Sequence, residues 1–139
     1  DLAHSDVNAL CIAEALQVSY EKAGPLFSLS LRMPLIAAGF RSEVQRAQDA
    51  CVLFGAGYQI VDDLKDVEQD LLEPTSSNIV LILQRDMALP DARATARKLA
   101  EEHLLTASRM ASELPHQCAR SLTAYCGELL DTLSADDEL

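Results

Sequence analysis

With 139 residues, the chain can build one domain with its own core but not two ordinary ones. A hydrophobic fraction of 49% excludes a disordered tail, and a formal charge of −11 argues against binding to nucleic acid or anionic lipid. Aromatics are only 4%, Trp is absent, and there are five Gly and five Pro, so hairpin punctuation is missing and packed helices are the expected class.

Along the chain, Ser5 followed by Asp6 reads as a helix start, after which Val7, Leu10, Cys11, Ala15 and Val18 recur at helical spacing. Gly24-Pro25 is expected to interrupt this helix. The apolar series resumes at Leu26 and runs to Gly39, with Pro34 bending it rather than ending it. Ser42 is a second N-cap candidate, opening an amphipathic helix through Ala47, Cys51, Phe54 and Tyr58 to Leu64. Pro74 and the Ser76-Ser77-Asn78 cluster mark a loop before a short apolar helix, Ile79 to Leu83. Pro90-Asp91 opens the next helix, which stops near Pro115, and a last one is expected from about His116. The expectation is one domain over residues 1–139, all-α, with about six helices in a bundle or part of one.

The strongest apolar run, Ile79 to Leu83, falls far short of the ~20 residues a membrane span needs. No basic stretch opens the chain, so a secretory leader is not expected; a missing initiator Met points to a processed or trimmed chain. Cys11, Cys51, Cys118 and Cys126 show no metal-finger spacing, which suits buried thiols in a reducing cytoplasm. His4, His103 and His116 are too scattered to form a ligand set, and surface or capping roles fit them better than catalysis.

The chemistry concentrates at Asp62-Asp63-Leu64-Lys65-Asp66. On a helix Asp62 and Asp66 stand one turn apart on one face, and Asp70 continues it. Such spacing costs a few tenths of a kcal/mol per like-charged pair in an isolated helix, and only Lys65 stands near enough to offset it. A solvated acidic face is the plain explanation. Against it, the cluster follows directly on the apolar Phe54, Tyr58, Ile60 and Val61. Oxygen-only ligands of this kind suit Mg²⁺, which keeps several waters and takes one or two carboxylates together with substrate phosphates. Gly55 and Gly57 lie inside the same helix, each costing ~1 kcal/mol relative to Ala; crowding by a neighbouring helix and close approach of a ligand both explain them.

The segment from Phe54 to Asp66 resembles the second aspartate-rich motif of the trans-isoprenyl diphosphate synthases, the polyprenyl synthetase family. Phe54-Gly55, Tyr58-Gln59 and Asp62-Asp63-Leu64-Lys65-Asp66 fall on that pattern in register. Lys22-Ala23-Gly24-Pro25-Leu26-Phe27 is similar to the family's Lys-Thr segment, and Ala38-Gly39 to the small residues between the motifs. The likeness runs from about Tyr20 to Glu73 and continues more weakly through the C-terminal helices. It implies the C-terminal half of an isoprenoid-synthase fold and an Mg²⁺-dependent prenyltransferase of isoprenoid (terpenoid) biosynthesis, joining an allylic diphosphate to isopentenyl diphosphate. By the same resemblance Asp62 and Asp66 would be metal ligands, and Asp62, Asp63 and Lys22 the catalytic set. Lys22, Tyr58, Gln59 and Phe54 would contact substrate, with Asp63 orienting Lys65 or the diphosphate region.

Three features depart from the family pattern. Ala23 stands where the family has Thr, Glu73 to Asn78 replaces the lysine-bearing elements after the motif, and no first aspartate-rich motif or arginine pair occurs. The resemblance therefore implies a missing segment or a partner, a second copy or a chain carrying the N-terminal half. The alternatives are a non-catalytic relative acting as a regulatory subunit, and the squalene and phytoene synthase branch. The adjacent Asp62-Asp63 pair and the Lys22 segment argue against that branch.

Overall fold

The computed structural model describes residues 2–72 and 77–135, excepting the side chains at 2–11, 15, 18, 22–24 and 26. Its helices are α1 (Leu2–Ala37), α2 (Val44–Lys65), α3 (Val67–Asp70), α4 (Ile79–Leu83), α5 (Leu89–Ser112) and α6 (Arg120–Ala135). Single 3-10 turns lie at Arg41–Glu43 and Pro115–Gln117. No strand occurs among the described residues, so the class is all-α as the composition implies. No helix among them is long and apolar enough to cross a membrane.

The central helix is α2, which packs against both α1 and α5, while α6 lies on α5. Its buried face sends Phe54, Ile60, Val61 and Leu64 into one core with Ile79, Val80 and Leu83 of α4 and Leu104 of α5. A smaller cluster at the far end joins Leu35 to Ala47, Ala50, Ala111 and Leu114. On α5 the buried positions Ala92, Ala96, Ala100 and Ala107 form a strip of small side chains that lets α2 come close. Gly57 completes that contact: a Cβ there would meet Leu104 Cγ at 2.7 Å. Helix crowding thus accounts for this glycine.

Several local signals are overridden. Gly24-Pro25 lies inside α1 rather than breaking it. An interior proline costs a helix about 3 kcal/mol, and here the turns beyond it are held by Phe27 against Phe54 and by Leu35 in the second cluster. Ser5 is likewise inside α1, whose helical backbone already runs from Leu2. Ser42 sits in the 3-10 turn, and α2 starts at Val44 with no side-chain cap. α1 does end where Gly39 predicts. Gly39 adopts φ 84°, and Phe40 N–H reaches Leu35 O at 2.9 Å while Gly39 N–H reaches Ile36 O at 3.1 Å. That is the Schellman pair of bonds, and Phe40 packs back beside Leu35. His116 does not begin the last helix. It and Gln117 take left-handed backbone angles at the α5–α6 turn, and α6 starts at Arg120.

Candidate metal centre

The last turn of α2 carries the acidic cluster, and its two adjacent aspartates face opposite environments. Asp62 is exposed, whereas Asp63 is 6% exposed. The Asp63 carboxylate is committed to the protein: Gln59 Nε2 donates to its Oδ1 at 2.8 Å and Ile79 N–H to its Oδ2 at 2.8 Å. It therefore satisfies a free N–H at the start of α4, a carboxylate at the positive end of that short helix. This position does not leave Asp63 free to orient Lys65, which is exposed.

Asn78 is the third member of this junction. Its Oδ1 accepts from Val80 N–H at 2.9 Å, the ordinary bond of an N-cap. Its Nδ2 donates to the backbone oxygen of Asp63 at 2.6 Å and to Asp70 Oδ2 at 2.8 Å. Reading Ser76-Ser77-Asn78 as loop punctuation missed this role. The signal was present, since Asn directly before an apolar run is a helix-start pattern.

Asp66 ends α2, with φ −94° and ψ 5° breaking the helix before α3. Its N–H still donates to Asp62 O at 3.1 Å, and its own carbonyl accepts from Asp70 N–H at 2.8 Å, so the helical course barely deviates. Asp62 and Asp66 consequently remain one turn apart. Both are exposed, and neither carboxylate has a hydrogen bond or ion pair among the described residues. Asp70 shares their face but is engaged by Asn78. Arg93 of α5 holds the flank of α3 through Glu68 at 2.8 Å, a largely solvated pair that contributes little.

No group of three or more His, Cys, Asp or Glu side chains gathers closely enough to cage a metal among the described residues. Two outward carboxylates nevertheless fit Mg²⁺, an ion that takes one or two from the protein and fills its other positions with water and phosphate oxygens.

Phe54 is 1% exposed and meets Phe27 edge-on with ring centroids 4.8 Å apart. It borders a small cavity of about 200 Å³ shared with Phe27, Leu122 and Tyr125. Tyr58 is half-buried in the same aromatic group, 6.1 Å from Phe27 and 6.3 Å from Tyr125. Gln59 is spent on Asp63. The side chain of Lys22 lies outside the described residues. Its backbone is in α1, which runs antiparallel to α2, because Leu35 clusters with Ala47 whereas Phe27 meets Phe54 and Tyr58. That register carries position 22 toward the Asp62 end.

Residues 1–75, more than half of the chain, match the family model of the polyprenyl synthetases. The chain belongs to the polyprenyl synthetase family. The matched span takes in α1, α2 and α3 and stops before Asn78, so membership rests on the helices around the aspartate-rich turn. It supports a prenyltransferase type of function, in a family that generally uses Mg²⁺. No curated protein and no solved structure gives a match.

Proposed function

We propose that this chain supplies the second metal-binding turn of an Mg²⁺-dependent prenyltransferase that condenses an allylic diphosphate with isopentenyl diphosphate. The observation that carries the proposal is the split between neighbours: Asp63 is turned inward as an anchor, and Asp62 and Asp66 are left outward without protein partners among the described residues. A turn whose inner member is pinned presents its outer carboxylates at fixed spacing, which suits an ion shared with diphosphate oxygens.

Asp62 is the direct ligand in this proposal and Asp66 the ligand one turn on. Lys22 neutralises diphosphate charge from α1. Gln59 and Asp63 act on the site by holding the turn, and Tyr58 borders it. Mg²⁺, when bound, acts as a Lewis acid on the leaving diphosphate and as a template for its orientation. A groove of about 490 Å³ between α1 and α2 has a mixed lining, with Pro25, Leu29 and Val52 beside Gln17, Glu21, Arg32 and Gln48. Val52 and Gln48 recur with Gln59 and Asp62 on one face of α2, and ten helical residues span about 15 Å from Val52 to Asp62.

Mg²⁺ needs more ligands than one turn offers, so the proposal includes a segment or partner bearing the first aspartate-rich motif. A stripe on α1 supports such packing: Leu29, Met33 and Ile36 are 55%, 63% and 41% exposed and share one face. The decisive experiment measures pyrophosphate release from short allylic diphosphates with isopentenyl diphosphate, using the protein together with its purified partner. Turnover abolished by Asp62→Ala supports the enzyme. An assembly that binds Mg²⁺ and diphosphate but turns over none of them supports the non-catalytic relative, which Ala23 and the lysine-free Glu73–Asn78 stretch favour.

A further inference from the structure

We infer that Asn78 is a positioning residue for the carboxylate turn, a latch that sets the spacing of Asp62 and Asp66 from outside the aspartate-rich motif. This inference rests on the metal-binding role proposed for those two residues. Its starting point is a general weakness of helix ends. The last four carbonyls of an α-helix have no intrahelical partner, and for α2, which Asp66 caps, these belong to Asp63, Leu64, Lys65 and Asp66. The proposed ligands therefore sit on the part of the helix most inclined to fray.

Two of those carbonyls are secured in different ways. Asp66 O accepts from Asp70 N–H at 2.8 Å, a local bond from α3. Asp63 O accepts from Asn78 Nδ2 at 2.6 Å, a bond from 15 residues away, and it is buried. The same amide nitrogen holds Asp70 Oδ2 at 2.8 Å, one turn beyond Asp66. Asn78 thus grips the chain on both sides of Asp66, by the Asp63 backbone before the break at that residue and by the Asp70 side chain after it. Its remaining acceptor caps α4 at Val80, and α4 is anchored in the core by Ile79, Val80 and Leu83. In return the Asp63 carboxylate accepts from Ile79 N–H. The outcome is a reciprocal clasp. A core-anchored helix start holds the α2–α3 junction, and only the outward carboxylates of that junction stay free to meet a metal.

An ordinary N-cap would need none of this. Ser or Thr would cap α4 equally well, but neither carries a second polar atom to reach Asp63 O and Asp70. An asparagine amide does both tasks at once, with its oxygen toward α4 and its nitrogen toward the acidic turn. Groups that orient metal ligands without touching the metal typically alter affinity about 10–100-fold when removed.

The test uses Asn78→Ser, which keeps the cap and removes the latch, with Asn78→Thr as the second variant should the first not fold. Amide hydrogen exchange at Asp66 and Asp70, whose N–H groups bond across the junction, is expected to speed up at least about fivefold, the loss of one or more ordinary hydrogen bonds, while the exchange of α5 is unchanged. Mn²⁺ binding in the presence of inorganic pyrophosphate, followed by electron paramagnetic resonance, is expected to weaken about tenfold with little change in Tm. Asp62→Ala serves as the control. Unaltered exchange and unaltered Mn²⁺ affinity in a folded, cap-retaining variant would overturn the latch. If Asp62→Ala itself binds Mn²⁺ like the parent protein, the metal-binding proposal fails, and the exchange data still decide whether Asn78 fixes the turn.

Discussion

Tyr20 on α1 and His103 on α5 are joined across the bundle, with the phenol oxygen 2.9 Å from Nε2. His103 Nδ1 lies 2.7 Å from the carbonyl oxygen of Leu99, which can only accept, so Nδ1 carries the proton and Nε2 accepts from Tyr20. Tyr20→Phe removes the donor and leaves a half-buried ring nitrogen unpaired. The expected cost is about 1–2 kcal/mol. For a chain of this size that is a fall in Tm of several degrees. Calorimetry checks it, and a Tm equal to that of the parent would show that the pair contributes nothing.

The Gly57 contact sets two effects against each other. Ala is the better helix former by about 1 kcal/mol, yet its Cβ would stand 2.7 Å from Leu104 Cγ and 2.8 Å from Cδ2. Overpacking of a core typically costs 1–3 kcal/mol, and Leu104 is itself buried. Gly57→Ala is therefore expected to destabilise. Leu104→Ala is expected to cost about 2–5 kcal/mol alone, and less in the Gly57→Ala background because the new methyl fills part of the space. Strict additivity in that double-mutant cycle would count against helix crowding as the reason for this glycine.

Three cysteines separate by environment. Cys51, which donates weakly to Phe27 O at 3.3 Å, and Cys126 are buried, and desolvation pushes both thiols up to about 11 from 9.0. Cys118 is exposed, contrary to the expectation of buried thiols throughout. A thiol-specific reagent at mildly alkaline pH is expected to label Cys118 within minutes, and Cys51 and Cys126 only on unfolding. Burial also raises the Tyr20 phenol above 10.0. For an acid whose folded pKa is raised, the unfolded state releases its proton first. The stability held below about pH 9 is thus lost as pH climbs through the thiol values near 11. Melting curves from pH 7 to 11 should show Tm falling above pH 9, and a flat profile there would remove the argument.

The parts of this molecule that were legible in its sequence are those where local chemistry and tertiary packing agree. Ile79 to Leu83 forms as expected because a solid apolar run follows a capping Asn, and α1 ends at Gly39 because a left-handed residue is needed there. Gly24-Pro25 misled because packing of the turns beyond it outweighs the local cost. At His116 two left-handed residues stand where a helix start was expected, and nothing in Pro115-His116-Gln117 announces them. In the acidic cluster, spacing correctly joins Asp62 with Asp66. It does not reveal which face is buried, and so it could not tell that Asp63 belongs to α4.

That division yields the sharpest contrast the site offers. Asp62→Ala removes an exposed carboxylate with no described partner and relieves like-charge repulsion with Asp66 worth a few tenths of a kcal/mol. Its Tm is expected to stay level or rise slightly, while Mn²⁺ binding with pyrophosphate, and turnover by the complete assembly, are lost. Asp63→Ala does the reverse to stability. It strands Ile79 N–H and Gln59 Nε2, donors now 2.8 Å from their acceptors, in a buried junction. The buried Ile79 N–H costs about 1–3 kcal/mol when stranded and the part-buried Gln59 amide less, so a clear drop in Tm is expected. Asp63→Asn keeps one acceptor oxygen but brings an NH₂ against one of those two donors, and should recover only part of the loss. Any fall in metal affinity in either Asp63 variant should follow the loosening of the α2–α3 junction. If Asp62→Ala lowers Tm as much as Asp63→Ala does, Asp62 is part of the scaffold, and the assignment of the two neighbours to metal and to fold is wrong.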